Sequence, residues 1–369
     1  MKKYIFLFIV TLGVIFGIKL FYEDKNIIKI GFSGTLSGEN STLGHSVLNG
    51  LLLAFDEHNY EVDGKKIKIF VEDDMQNKQK AKNIINKFKK QNIDLVIGNI
   101  TSAMTKASLS QIPQNSNLSL ISATSSSGDF SNQDDKFFRV QVAQSKERFS
   151  LLSKYLIKNN IKNILAIYDA NNSSYSNNFL NNFEKSFISF GGAAFVKKIS
   201  LDNSYEKILE KIEKNNLDSI VIVANSIEAS NLIQFLKLKG VDKLFCVSAW
   251  AKNQEFIENG GKAVNNTIFL SSYDENSTNK KYIDFTKKYK AKYKVVPTVF
   301  SAQAYEAGNI ILKVLQKDSD LKKFKKTLLS IKKFEGLQGF IFFDEYGDVQ
   351  REQYLSIIRD NKIVRLDIK

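Results

Sequence analysis

The chain has 369 residues, 43% of them hydrophobic, and a formal net charge of +14. That length exceeds one compact core, so two lobes are expected, while a single cysteine, Cys246, excludes a disulfide framework and a cysteine-built metal site. The charge does not point to nucleic acid: lysines are spread through the predicted helices opposite apolar stripes, and no helix-turn-helix, zinc finger or arginine-rich tract occurs.

Met1–Phe21 reads as an export segment, with Lys2 and Lys3, an uncharged apolar run from Tyr4 to Ile18, and Lys19. No small-x-small cleavage site marks its end and no cysteine follows it for a lipid anchor. Residues 1–26 are therefore expected to be a signal peptide or an inner-membrane anchor over residues 4–21, with the rest exported to the periplasm or beyond.

After residue 26 short β-rich runs alternate with amphipathic helices. Ile27–Phe32 reads as a strand, Leu43–Asn59 as a helix and Lys66–Glu72 as a strand. Lys78–Gln91 carries Ala81, Ile84, Ile85 and Phe88 at the i, i+3, i+4, i+7 spacing of a helix face. Asp94–Ile97 (strand), Thr101–Gln111 (helix) and Leu118–Ile121 (strand) follow. A fresh set begins at the helix Lys146–Lys158: strands Asn163–Tyr168, Ala194–Ile199, Ser219–Val223, Leu244–Val247 and Thr267–Leu270 alternate with helices Tyr175–Phe190, Tyr205–Asn215 and Ile227–Leu238. Two long helices, Lys281–Tyr293 and Phe300–Leu315, lead to strands Phe340–Phe343, Gln353–Arg359 and Ile363–Ile368. Two such α/β sets imply two doubly wound parallel sheets, and with only Pro113 and Pro297 and no Gly/Ser-rich linker, the lobes are joined by short crossings.

In open α/β sheets, ligands bind beyond the carboxyl ends of the strands. Three loops there are rich in hydroxyls: Gly34–Gly38, Gly98–Ser102 and Ser122–Ser126. Any one of them could simply cap a helix. Three at successive strand ends suggest a shared cradle of hydroxyls and helix-start N–H groups for a carboxylate. No phosphate-loop or G-x-G-x-x-G fingerprint, G-x-S-x-G elbow or histidine triad occurs, so no enzyme and no cofactor is expected; His45 and His58 share one helix at a spacing that does not suit zinc.

The segments Ile30–Gly38, Val96–Ser102 and Leu120–Thr124, Tyr168-Asp169 with Tyr175, Ala304–Ala307 and Phe342–Asp348 together resemble the type I periplasmic binding proteins. The likeness is specifically to the leucine/isoleucine/valine-binding family that feeds ABC transporters. It implies two doubly wound parallel-sheet lobes, residues 27–144 plus 274–345 and residues 145–273 plus 346–369, joined by a three-strand hinge. The implied partners are a small amino acid, organic acid or amide and a membrane permease, for a monomeric chain. By position, Ser102 and Thr124 would hold the ligand carboxylate, with Thr101 and Ser125 beside them. Ser126 would meet the ligand amine, Tyr175 would close from the second lobe, and Leu43 and Phe300 would form walls. Trp250, the only tryptophan, lies at a predicted strand end and is a further wall candidate.

One departure stands out. The family often meets the ligand ammonium with an acid from the second lobe. The matching stretch Val247–Trp250 has none; nearby Asn225, a further candidate contact, and Ser226 are neutral. Asp169 and Glu228 are the nearest acids in sequence, and the motif does not put them on the ligand. A buried ammonium without a carboxylate is costly, so the ligand class stays open. A competing expectation is a membrane-anchored sensing domain; a DNA-binding regulator of similar fold would need a headpiece where the export segment stands.

Overall fold

A computed structural model describes residues 26–38 and 41–367 of the chain. The leader assigned to residues 1–26 thus lies, apart from Asn26, outside the described residues.

The first sheet contains β1 (Ile27–Gly34), β2 (Glu61–Val62), β3 (Lys65–Asp73), β4 (Leu95–Gly98), β5 (Ser119–Ser122) and β6 (Phe137–Arg139), in the order β2-β3-β1-β4-β5-β6. All pairs are parallel except β2 with β3. Its helices are α1 (Ser41–Asp56), α2 (Lys78–Lys90) and α3 (Ser102–Leu109). β4 is buried along its whole length, as a central parallel strand covered on both faces must be. The predicted stripe on α2 is the face that is buried, and Asn77 caps the helix by accepting from the N–H groups of Gln79 and Lys80.

The second set holds β7 (Ile164–Tyr168), β8 (Lys197–Ser200), β9 (Ser219–Val223), β10 (Leu244–Ser248) and β11 (Ile268–Ser271), with α4 (Ser150–Lys158), α5 (Ser173–Ser189), α6 (Tyr205–Glu213), α7 (Ser226–Leu238) and α8 (Gln254–Gly260). The chain then forms α9 (Lys280–Tyr293), α10 (Val299–Lys317) and α11 (Phe324–Ile331). A small antiparallel sheet follows, of β12 (Lys333–Gly336), β13 (Gly339–Phe343) and β14 (Val349–Gln350). Finally β15 (Tyr354–Arg359) and β16 (Lys362–Arg365) join the second sheet, ordered β16-β15-β11-β10-β9-β7-β8.

Several expected elements shift. The strand expected at Ala194–Ile199 runs instead over Lys197–Ser200, because its ladder with β7 begins at Leu165↔Lys197. The last two tail strands, expected at Gln353–Arg359 and Ile363–Ile368, form an antiparallel hairpin of Tyr354–Arg359 and Lys362–Arg365: Asp360 and Asn361 take φ of 48° and 58°, the left-handed pair a two-residue turn requires. Expected helix Lys146–Lys158 opens as a 3-10 turn, Glu147–Phe149, before α4. The short elements β2, β6, α8, α11, β12 and β14 lack a periodic signal long enough to read.

α10 lies against α1, and Gly50 makes the approach possible, since a Cβ there would sit 2.1 Å from the Ser301 carbonyl oxygen. The chain passes between the sheets three times: after β6, after β11 and between β14 and β15. One guanidinium ties these passages together. Arg351 donates from Nε to the Val140 carbonyl at 3.2 Å, from Nη1 to the Tyr273 hydroxyl at 3.2 Å and from Nη2 to Glu306 on α10 at 2.5 Å.

Candidate functional site

Both sheets reverse their strand order beside their first strand, the position where open α/β sheets form a crevice. The carboxyl ends of the two sheets face each other there. From the first lobe come the loops after β4 and β5. Gly98 ends β4 at φ +146°, and a Cβ would sit 2.1 Å from the Ser33 carbonyl oxygen, so only glycine lets this loop start so close to β1. Thr101 then caps α3, its hydroxyl accepting from the Met104 N–H at 3.4 Å. Ser102 Oγ accepts from the N–H groups of Ser126 at 3.3 Å and Ser127 at 3.2 Å. Its own hydrogen is left to donate into the cavity that Ser102 lines.

Thr124 behaves differently. Its hydroxyl donates to the Ile100 carbonyl at 2.6 Å, so it presents only lone pairs to the cavity. Ser126 Oγ accepts from Gln144 Nε2 at 3.1 Å. From the second lobe, Asn172 crosses the cleft, its side-chain oxygen accepting from the Ala103 N–H at 3.2 Å. Tyr175, in the first turn of α5, meets Trp250 edge to face, with ring centroids 5.8 Å apart at 83°. Ala249 and Trp250 follow β10 directly. Leu43 of α1, Ile100 and Phe300 of α10 close the apolar side, and Gln141 and Arg148 enter from the first passage between the sheets. The cavity left among these residues is small, about 30 Å³, so the lobes stand close together around it.

Arg148 is 7% exposed. Its Nη1 donates to the Val142 carbonyl at 2.7 Å, while its Nε has no hydrogen-bond partner among the described residues. Burial pulls its pKa down to about 10, with the neighbouring Arg139 charge acting the same way and Tyr175 opposing. Burial pushes the Tyr175 hydroxyl above its ordinary value, the Arg148 charge acting against it.

The structure brings eight of the ten expected site residues to this one cavity: Leu43, Thr101, Ser102, Thr124, Ser126, Tyr175, Trp250 and Phe300. Ser125 sits behind the wall, its hydroxyl donating to Ser102 Oγ at 3.2 Å. Asn225 is not placed at the cavity. It caps α7, accepting from the Glu228 N–H and donating to the Glu228 carboxylate, both at 2.9 Å. Ile100, Gln141, Arg148, Asn172 and Ala249 line the cavity without having been anticipated. A signal for Arg148 did exist. Only five of the 53 basic residues are arginines, the cation whose weak hydration and fixed fork suit enclosed anion contacts.

The two lobes also touch beside the cavity. Asp129, in the loop after β5, accepts from Asn178 of α5 at 2.7 Å and from the Ser174 hydroxyl at 3.0 Å.

Comparison with known proteins agrees with this fold. Residues 27–362 match the protein family described as periplasmic binding protein. Among solved structures, the chain is similar to the branched-chain amino acid transporter substrate-binding protein LivJ from Streptococcus pneumoniae, in complex with isoleucine: 24% identity over 92% of this chain and 99% of that one, TM-score 0.83. It is also similar to the leucine-binding protein LivK from Thermotoga maritima, at 21% identity over 92% and 98% of the two chains, TM-score 0.83. A third likeness is to an ABC-transporter solute-binding protein from R. palustris in complex with benzoate, at 19% identity over 92% and 95%, TM-score 0.84.

Proposed function

The chain belongs to the periplasmic binding protein family and is a binding protein, not an enzyme; from that premise we propose that it captures a small carboxylate-bearing metabolite between its lobes. It works outside the cytoplasm and hands its ligand to the membrane permease of an ABC-type importer, acting as a monomer and tethered to the membrane by residues 4–21 or released from them.

One observation carries this reading. Hydroxyl-rich strand-end loops of the first lobe, around Ser102 and Ser126, line one cavity together with an aromatic pair of the second lobe, Tyr175 and Trp250. The first lobe supplies polar donors and the second an apolar cover, so a ligand touching both is held best when the lobes are together. Binding then stabilises the closed arrangement by its differential affinity for it. The S. pneumoniae relative is recorded with isoleucine and the R. palustris relative with benzoate, both small carboxylates.

The test is a thermal-shift survey of amino acids, organic acids and amides, paired with mass spectrometry of whatever co-purifies. A true ligand at 100 times its dissociation constant should add about 2.7 kcal/mol of stability. Failure of every small metabolite to raise the melting temperature would count decisively against capture.

A further inference from the structure

Among the described residues, every enclosed cation but one comes with an acid. The Arg139 side chain is fully buried and donates to Asp348 at 2.6 Å, to the Ser127 carbonyl at 2.6 Å and to the Ser131 hydroxyl at 2.6 Å. Arg351 pairs with Glu306 at 2.5 Å, and buried Lys252 with Glu275 at 2.8 Å. Among the described residues the Arg148 guanidinium has one hydrogen-bond partner, a backbone carbonyl, and no carboxylate, yet it lines the cavity between the lobes. An unpaired buried charge costs several kcal/mol unless something compensates it.

The acids that could have compensated it are held elsewhere. No Asp or Glu is among the described residues lining the cavity. Asp169 accepts from the Asn171 N–H at 2.7 Å, within its own loop. Glu228 is held by Asn225, and Glu255 by Thr42 and Ser226. The cavity is therefore net positive, with hydroxyl donors on one side and an apolar wall on the other.

We infer that Arg148 is the counter-charge for the ligand, and that the site selects monoanionic carboxylates with an apolar or aromatic body over zwitterionic amino acids. The inference rests on the capture reading and names its ligand class. The guanidinium meets the carboxylate, with Ser102 adding a hydroxyl donor, and the body packs among Trp250, Ile100 and Phe300. An α-ammonium group would enter beside Arg148 with no acid to receive it, so repulsion and unpaid desolvation both act against it.

The experiment uses the purified full chain and two matched series: 4-methylpentanoate, leucine and 4-methylpentanamide, then benzoate and benzamide. Binding is read by calorimetry and by the fluorescence of Trp250. Carboxylates of at least one series should bind at least tenfold more tightly than their zwitterionic or neutral counterparts. Arg148→Gln should lose carboxylate binding by roughly a hundredfold, and Arg148→Lys by less. The melting temperature of ligand-free Arg148→Gln should stay level or rise, since a cation that only strengthened the fold would lower it when removed. Leucine or an amide binding as tightly as its carboxylate overturns the inference and leaves capture standing. Arg148→Gln that melts lower and keeps carboxylate affinity overturns it too. No binding by either series or by any metabolite of the wider survey removes both readings.

Discussion

A guanidinium held in an apolar enclosure titrates earlier than one in water. With its pKa drawn down to about 10, Arg148 is charged throughout the neutral range, and a carboxylate ligand should bind with an affinity that is flat there. The affinity should fall as pH rises past about 10, as the positive charge is lost. The Arg139 guanidinium on β6 and the titratable Tyr175 hydroxyl on α5 are the groups that face it, and isothermal titration between pH 7 and 10.5 reads the effect. The ligand-free protein should behave oppositely, because the unfolded chain keeps a normal arginine pKa. The cost of holding the buried charge is present below about 10 and is relieved above it. Trp250 offers a second test: Trp250→Ala removes a buried ring from Tyr175 and should cost roughly 3–5 kcal/mol of stability. That loss is measurable by denaturant unfolding, and the same variant should show no tryptophan emission at all.

At the scale of elements, α5 is both wall and latch. Its first turn carries Tyr175 against the cavity and Ser174 toward Asp129, and Asn178 in the next turn also reaches across to Asp129. Partial burial pushes the Asp129 carboxyl up, but hydrogen bonds from Asn178, Ser174 and Lys106 outweigh that and hold it below the usual carboxylate range. A depressed pKa means the tie is intact at neutral pH and is lost as pH falls through the lowered value. The latch is partly exposed, so its worth is modest: Asp129→Asn should weaken ligand binding by about fivefold, or about 1 kcal/mol. Elements of this length are what the sequence shows well. The stripe of α2, the uniform apolar run of β4 and the hydroxyl loops beyond β4 and β5 are all local patterns. Asn172 was not legible, and Arg148, though set apart by the scarcity of arginine, could not be placed, because nothing in their own neighbourhoods says they will face a cleft; only the pairing of two distant sheets puts them there. Asn225 misled for the converse reason, since a polar residue after a strand reads alike whether it meets a ligand or caps a helix.

For the molecule as a whole, the three passages between sheets decide how the lobes move. Arg351 holds Val140 of the first passage and Tyr273 of the second from its own place on the third, and Glu306 anchors it on α10. Arg351→Ala strands the Glu306 carboxylate in the interior and should cost roughly 3–5 kcal/mol. Three strands lashed at one knot cannot shear past each other or fray one at a time. A joint so tied should be left with a swing about one axis, and cleft occupancy should then read out as a two-state signal on the outer surface. Cutting the knot should therefore blur that signal: paired fluorophores on the two lobes of Arg351→Ala should report a broad spread of separations, where the parent gives two sharp ones.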